Sequence, residues 1–414
     1  MLKRFLLVAA VGAMASACCG GAQQSTDCGD QKCCSATDYD KERAAYFGVP
    51  EGNKLSASMQ RAMNWPEDRE ADNSWFIEYK TMPLKGDLAY EKGVVRRDPS
   101  AMIMEDGLYY VWYSRSTGPT DGFAGDIEND KVFPWDRCDI WYATSPDGIT
   151  WKEEGPAVLR GKKGEYDDRS VFTTEIMKWD GKYYLCYQAV KSPYDVRVKN
   201  TVGMAWADNI RGPWTKTKEP VLCASDTGEW LGEEQNRHKV VKQGDFDSHK
   251  VHDPCIIPFK GKFYLYYKGE RMGERMTWGG REIKHGVAIA DSPLGPYVKS
   301  EYNPISNSGH EICVWPYRGG IAALITTDGA EKNTMQWSPD GVNFEIMSYI
   351  PGAPHAIGLN RTADADKAPE EIMKWGLTHV YNSGDYQSII RFVGHNKTVH
   401  GAKGETAGTT KKKK

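Results

Sequence analysis

The sequence predicts an all-β protein: a five-bladed β-propeller with an N-terminal helical extension. Three observations carry that reading. From about Leu88 to His395 the chain reads as strands and turns, punctuated by Gly and Asp-Gly. Within that span one unit recurs. It is Val251-His252-Asp253-Pro254-Cys255-Ile256-Ile257, a turn at Gly261, then the aromatic run Phe263–Tyr267. Arg97–Ile103 with Gly107 and Tyr109–Tyr113 repeats it, as do Val171–Ile176 with Gly181 and Tyr183–Tyr187, and Gly309–Val314 with Gly320 and Ile321–Ile325. Each copy also has a second half, a strand running into a glycine turn and an aromatic residue: Gly148 and Trp151, Gly212 and Trp214, Gly295 and Tyr297, Gly341 and Phe344. Repeated four-stranded units that cannot bury their faces alone read as propeller blades. Four copies are clear; Pro354–Leu359, Thr378–Asn382 and Ser388–Phe392 make a degraded fifth.

Taken in order, residues 1–17 read as a signal peptide: Lys3 and Arg4 start it, Phe5–Ala13 is too short an apolar run to span a bilayer, and Ala15-Ser16-Ala17 is a small-residue cleavage site. Cys18 follows at once, so a lipid anchor is expected there and is the sole membrane contact predicted. The protein is then exported, periplasmic or anchored at the outer membrane. Residues 18–37 are a polar tether. Residues 38–87 are the helical extension. Asp38–Ala45 is a good helix former stopped by Gly48 and Pro50, and Ser56 can cap a second helix that ends before Pro66. Residues 88–395 form the propeller, in which the long insertions Ser116–Arg137 and Asp226–His249 are expected on one face, and 396–414 form a lysine-ended tail.

The 53 Lys and Arg against 56 Asp and Glu give a formal charge of −3, so no basic face is implied and nucleic acid is excluded as a partner. None of the ten cysteines forms a Cys-x-x-Cys pair, so no zinc site is predicted. Cys186 and Cys313 fall in strand patterns and read as small buried hydrophobes. Trp141, Trp206 and Trp337 follow the repeat and read as core.

The chemistry is expected where inner strands begin, because equivalent positions around a propeller converge on one channel. Asp98, Asp253 and either His310 or Glu311 stand there; the second copy has Thr173 in place of an acid. Converging carboxylates with room for water suit an inverting glycosidase, one ionised to activate water and another group protonated for the leaving oxygen. Adjacent strand residues point to opposite sides, so His310 and Glu311 share the channel only if the strand bulges or has just begun. The second-strand ends, Ser114, Gln188, Lys268 and Thr326 or Thr327, also face this region. His252, Gln188, Thr173 and Trp135 are the candidate sugar contacts, Trp135 by stacking. No cofactor or metal is predicted; a divalent cation is compatible with the acids but not indicated by them.

The pieces Leu55–Pro66, Arg97-Asp98-Pro99-Ser100, His252-Asp253-Pro254 and Gly309-His310-Glu311 together resemble glycoside hydrolase family 117, over about Leu55 to His395. The resemblance implies a five-bladed propeller whose N-terminal helices swap onto a neighbour to make a homodimer. It implies exo-acting, inverting release of 3,6-anhydro-L-galactose from the non-reducing end of neoagaro-oligosaccharides. On that likeness Asp98 is the general base and His310 the general acid, with Asp253 and Glu311 completing the subsite. One departure shows: Ser58 stands where the family motif Ser-x-Ala-x-x-Arg has Ala. Two other readings stay open: a propeller glycosidase for an arabinose- or fructose-like sugar or another algal galactan unit, with Glu311 as acid, and a non-catalytic carbohydrate-binding lipoprotein.

Overall fold

A computed structural model describes residues 36–63, 75–277, 280–350, 352–355, 357–361, 367–381 and 386–396. The signal peptide, Cys18, all but the last residues of the tether, Trp65 and Pro66, and the tail after Asn396 lie outside them. The chain divides into a short unit, Met1–Lys41, and a body, Glu42–Lys414. Among the described residues no helix is long and apolar enough to cross a membrane.

Five sheets of the body are five blades. The first runs outward from Val94–Arg97 and Ile103–Glu105 through Leu108–Thr117 and Asp139–Ser145 to Thr150–Val158, with Lys85–Gly86 added at its edge. The second is Ser170–Trp179, Lys182–Val190, Thr201–Ala207 and Thr215–Lys216. The third is Lys250–Phe259, Lys262–Glu270, Ile283–Ala290 and Val298–Lys299. The fourth is Ile312–Tyr317, Gly320–Ile325, Thr334–Ser338 and Glu345–Tyr349. The fifth is Gly358–Leu359, Trp375–Tyr381, Gln387–Asn396 and, outermost, Ile77–Pro83.

That last strand corrects the expected boundary. Ile77–Pro83 was read as part of the helical extension, but it pairs antiparallel with Ile390–Asn396 and joins the two ends of the propeller in one sheet. Its side chains after Ile77 are mostly exposed, so it carries no apolar alternation for a sequence reading to find.

Blades stack face to face, so a second strand buries both of its faces and reads as a continuous apolar run rather than an alternating one. Lys182–Val190 and Lys262–Glu270 are buried along almost their whole length, and outer strands such as Val298–Lys299 are not. One apolar cluster fills each gap between neighbouring blades, centred on Trp112 and Leu185, Leu265 and Met204, Tyr266 and Val314, Trp315 and Phe392, and Tyr113 with Leu377. Among the described residues the fully buried tryptophans are Trp112, Trp151 and Trp315. Trp141, Trp206 and Trp337, expected in the core, are half-buried on third strands; Arg115 covers Trp141 and Lys182 covers Trp206. Cys186 and Cys313 are buried as expected.

Deep in the channel Arg361 pairs with Glu175 at 3.2 Å and donates to the carbonyls of Val314 at 2.6 Å and Ile176 at 3.3 Å. Glu175 in turn accepts the Ala101 amide at 2.9 Å. One buried ion pair therefore ties four blades together.

Of the two helices described in the N-terminal extension, α1 (Ala36–Tyr46) is stopped as expected near Gly48, which has φ 76°. In α2 (Ala57–Met63) Ser56 is the cap, its Oγ accepting the Met59 amide at 3.3 Å. Ser58 is more than a small residue here: its hydroxyl donates to Glu331 at 2.8 Å and accepts the Asn307 amide at 2.8 Å. Arg61 completes the clamp on the same buried carboxylate at 2.9 Å.

Removing one partner of a buried pair leaves the other charge uncompensated, at about 3–5 kcal/mol. Arg361→Met should lower unfolding free energy by that order in denaturant titrations. Adding Glu175→Gln to it should restore most of the loss; if the double variant is no more stable than the single, the pair does not tie the blades as described.

Candidate active site

Inner strands enter the channel with a shared irregularity. Asp98, Thr173 and Asp253 have φ of 49°, 43° and 48°, a left-handed conformation that non-glycine residues rarely adopt and that is an outlier for β-branched Thr. The ladder slips at the same places, between Phe172 and Thr174 and between His252 and Cys255, and the first blade's inner strand breaks between Arg97 and Ile103. A bulge of this kind re-aims side chains that an ideal strand would send to opposite faces. Arg97, Phe172 and His252, each just ahead of a bulge residue, therefore line one cavity of about 320 Å³ together with Thr173 and Asp253.

The fourth blade reaches the same end by another route. His310 and Glu311 precede the strand Ile312–Tyr317, so the strand has just begun, and the two side chains meet with His310 Nδ1 2.7 Å from Glu311 Oε1. Both expected positions are thus at the channel, and the choice between them dissolves.

Second-strand ends supply the partners. Ser114 Oγ donates to Asp98 at 3.4 Å and accepts the Thr173 amide at 2.8 Å. Gln188 Nε2 lies 3.3 Å from His252 Nδ1. Lys268 Nζ pairs closely with Asp253 and sits 3.3 and 3.2 Å from the two ring nitrogens of His310. Thr326 Oγ1 donates to Glu311 at 3.2 Å. The fifth blade adds His379, whose Nδ1 lies 3.2 Å from Asp98 Oδ1. The expected residues thus gather in two groups around one cavity. Asp98 is held by Thr173, whose Oγ1 donates to it at 3.1 Å, and by Arg97, bidentate at 2.6 and 3.0 Å. Asp253, His310 and Glu311 form the other, beside His252 and Gln188.

The carboxylates are held in different states. Burial would raise Asp98, but the Arg97 guanidinium, followed by His379, outweighs it and holds the carboxyl far below the usual range. Burial likewise opposes ionisation of Glu311, and the His310 ring with Lys268 wins, leaving it well below its ordinary value. At Asp253 burial prevails over Lys268 and His310, helped by the nearby Glu311 charge, and the carboxyl is raised. His252 is pushed well below its usual value by burial and by Lys268. Ligand atoms of Asp253, His310 and Glu311 lie within 4.8 Å of one another, a spacing a small cation could use. Lys268 Nζ already stands against Asp253 and the His310 ring, so a cation would have to displace it.

Zg3597, a family 117 glycoside hydrolase produced by the marine bacterium Zobellia galactanivorans, matches with a TM-score of 0.64 and 36% sequence identity, over 78% of this chain and 92% of that one. The chain belongs to glycoside hydrolase family 117. A second solved structure, described as a glycoside hydrolase, matches at TM-score 0.51 and 12% identity over 78% of this chain and 93% of that one, a likeness of fold alone. The family model for glycosyl hydrolases family 43 matches residues 92–231, the first two blades. No curated protein matches.

In this family 117 hydrolase the site holds residues that the sequence reading did not select. Arg97 and His379 grip Asp98, and Tyr381, 68% exposed, lines the cavity mouth. His379 stands near the end of the fifth blade's second strand, the position already noted in the other four, so extending that pattern would have found it. Glu270, Arg281, Lys250 and Arg237 also line the cavity. Both long insertions lie on this face as expected, since Phe133, Trp135 and Arg237 come from them. Trp135 is held by protein neighbours as well as lining the cavity. Phe133 stacks on its ring at 4.7 Å and 9°, the Arg97 guanidinium sits over it at 4.7 Å, and its Nε1 donates to Tyr194 at 2.9 Å. The ring is part-buried among these partners and still lines the cavity.

The two depressed carboxyls fix a sign. Asp98 and Glu311 take up protons in the unfolded chain near pH 4 but stay ionised in the folded one, so their stabilisation is present above that pH and lost as pH falls through their folded values. Asp253, shifted upward, acts in the opposite sense. Denaturant unfolding between about pH 3 and about pH 7 should show stability falling on acidification. The fall should be smaller, by about 1 kcal/mol, in Asp98→Asn; an identical slope in that variant would contradict the ionised clamp.

Proposed function

We propose that this enzyme is an exo-acting, inverting hydrolase that releases 3,6-anhydro-L-galactose from the non-reducing end of neoagaro-oligosaccharides by cleaving the α-1,3 linkage. The observation that carries the reading is a carboxylate locked in its ionised form just behind the cavity wall, Asp98, opposite a histidine that lines the cavity among acids on another blade, His310. Asp98 activates water on one face of the sugar. Glu311 accepts a hydrogen bond from His310 Nδ1, which orients the ring so that Nε2 delivers the proton to the leaving oxygen. Asp253 and Lys268 position that ring. Glu311 is disfavoured as the acid because its carboxyl is held ionised. Family membership speaks against a binding-only role.

Turnover of neoagarobiose, followed by product chromatography, tests the assignment. Asp98→Asn and His310→Ala should each lower kcat by about 10²–10⁴, and Glu311→Gln by less. Full activity in His310→Ala with loss in Glu311→Gln would transfer the acid role to Glu311.

The proposal extends to a homodimer in which the helical segment exchanges onto a second copy, so that the contacts Ser58 and Arg61 make with Glu331 within one chain are made between two. Light scattering should return the mass of two chains, and Arg61→Ala should shift it towards one; a wild-type monomer would refute the swap. Export with a lipid on Cys18 is part of the same reading, and an unmodified Cys18 in the mature N-terminal peptide by mass spectrometry would refute it.

A further inference from the structure

The cavity wall carries more cationic than anionic side chains: Arg97, Arg237, Lys250, Lys268 and Arg281 line it, against Asp253 and Glu270. Lys268 is matched by Asp253. Glu270 is the other acid of the wall, and Glu274 stands behind it. Glu270 and Glu274 side chains are each only 4% exposed, while Arg237 is 30%, Arg281 26% and Lys250 13% exposed. Glu270 is shared by Lys250 at 3.0 Å, Arg281 at 2.8 Å and Arg237 at 3.9 Å; Glu274 is shared by Arg281 at 2.7 Å and Arg237 at 3.3 Å. Three cations thus share two carboxylates, with the cations on the accessible side. Arg97 adds an independent observation. Its Nε and Nη2 are taken by Asp98, whereas its Nη1 is buried without a hydrogen-bond partner, on a side chain 6% exposed that lines the same cavity.

We infer that the cavity takes a sugar bearing an anionic substituent, a sulfate ester or a carboxylate, received by Arg237, Lys250 and Arg281 with Arg97 free to donate a further hydrogen bond. This rests on the reading of the cavity as the substrate site and narrows it, since a neutral sugar would leave the surplus charge unmatched. Guanidinium groups suit such oxygens because their planar N–H pairs match them two at a time.

The test compares three probes on the full-length protein by calorimetry: a sulfated galactan oligosaccharide, the same oligosaccharide chemically desulfated, and a uronate-bearing one of equal length. At least one charged probe should bind about tenfold or more tighter than the neutral one, and whichever does names the substituent. The preference should shrink as salt is raised, since partly exposed cations are screened, and should fall towards unity in Arg237→Gln/Lys250→Gln. Should that variant fail to fold, the salt series on the wild type decides. Equal or tighter binding of the neutral probe, a preference unmoved by salt, or no binding of any probe overturns the inference. Cleavage of neutral neoagarobiose without charge preference overturns this inference alone; tight binding of a charged probe with no cleavage of any overturns the hydrolase reading alone.

Discussion

The left-handed turn at the head of three inner strands is the constraint from which the site follows. A regular strand would send Arg97 and Asp98, Phe172 and Thr173, or His252 and Asp253 to opposite faces. At φ of 43–49°, as found at Asp98, Thr173 and Asp253, the chain re-aims them: Phe172 with Thr173 and His252 with Asp253 line the cavity together, and Asp98 turns onto Arg97, which lines it. Such conformations cost on the order of 1–3 kcal/mol each outside glycine. Here the surroundings hold them: the Thr173 amide is tied to Ser114, its hydroxyl to Asp98, and Asp98 to Arg97 and His379. Strain and function are therefore built from the same contacts. The rigid body behind them is supplied by apolar clusters in every gap between blades and by the Arg361–Glu175 pair across the channel.

The site is a set of charges placed by blade number. Because three blades contribute a bulge residue, the fourth the residues just ahead of its inner strand, and all five the end of a second strand, neighbouring blades meet as donor and acceptor. Lys268 and Asp253 come from the third blade, His310 and Glu311 from the fourth, and His379 reaches Asp98 from the fifth. Carboxylates a few ångströms apart can then differ in protonation, because each has its own cationic neighbour and its own degree of burial. In the proposed assignment this separates the water-activating group from the proton-delivering one.

Much of this was legible in the sequence. The repeating strand pairs with their Asp-Gly and Arg-Gly turns gave the blade count, and the shared position of Asp98, Thr173 and Asp253 was visible as a register of motifs. Three kinds of feature were not. Ile77–Pro83 is an exposed edge strand whose partner lies at the far end of the chain, so it carries neither apolar periodicity nor a local turn signal. His379 matters through its pairing with Asp98 across blades, and Arg97 through a grip on its own neighbour that a regular strand would not allow; spacing alone specifies neither. Trp135 has a composition that suits sugar stacking, yet Phe133 and Arg97 occupy its ring, and only packing reveals that.

The central claim is that Asp98 is the carboxylate that activates water from a position fixed by Arg97. Truncation to Asp98→Ala removes the base and leaves the Arg97 guanidinium facing an anion-sized gap. Turnover of a neoagaro-oligosaccharide by that variant should be measured with and without sodium azide, and the products identified by NMR. Recovery of activity with a glycosyl azide of inverted anomeric configuration is the predicted result. A retained azide adduct, or recovery in Asp253→Ala but not in Asp98→Ala, would contradict it.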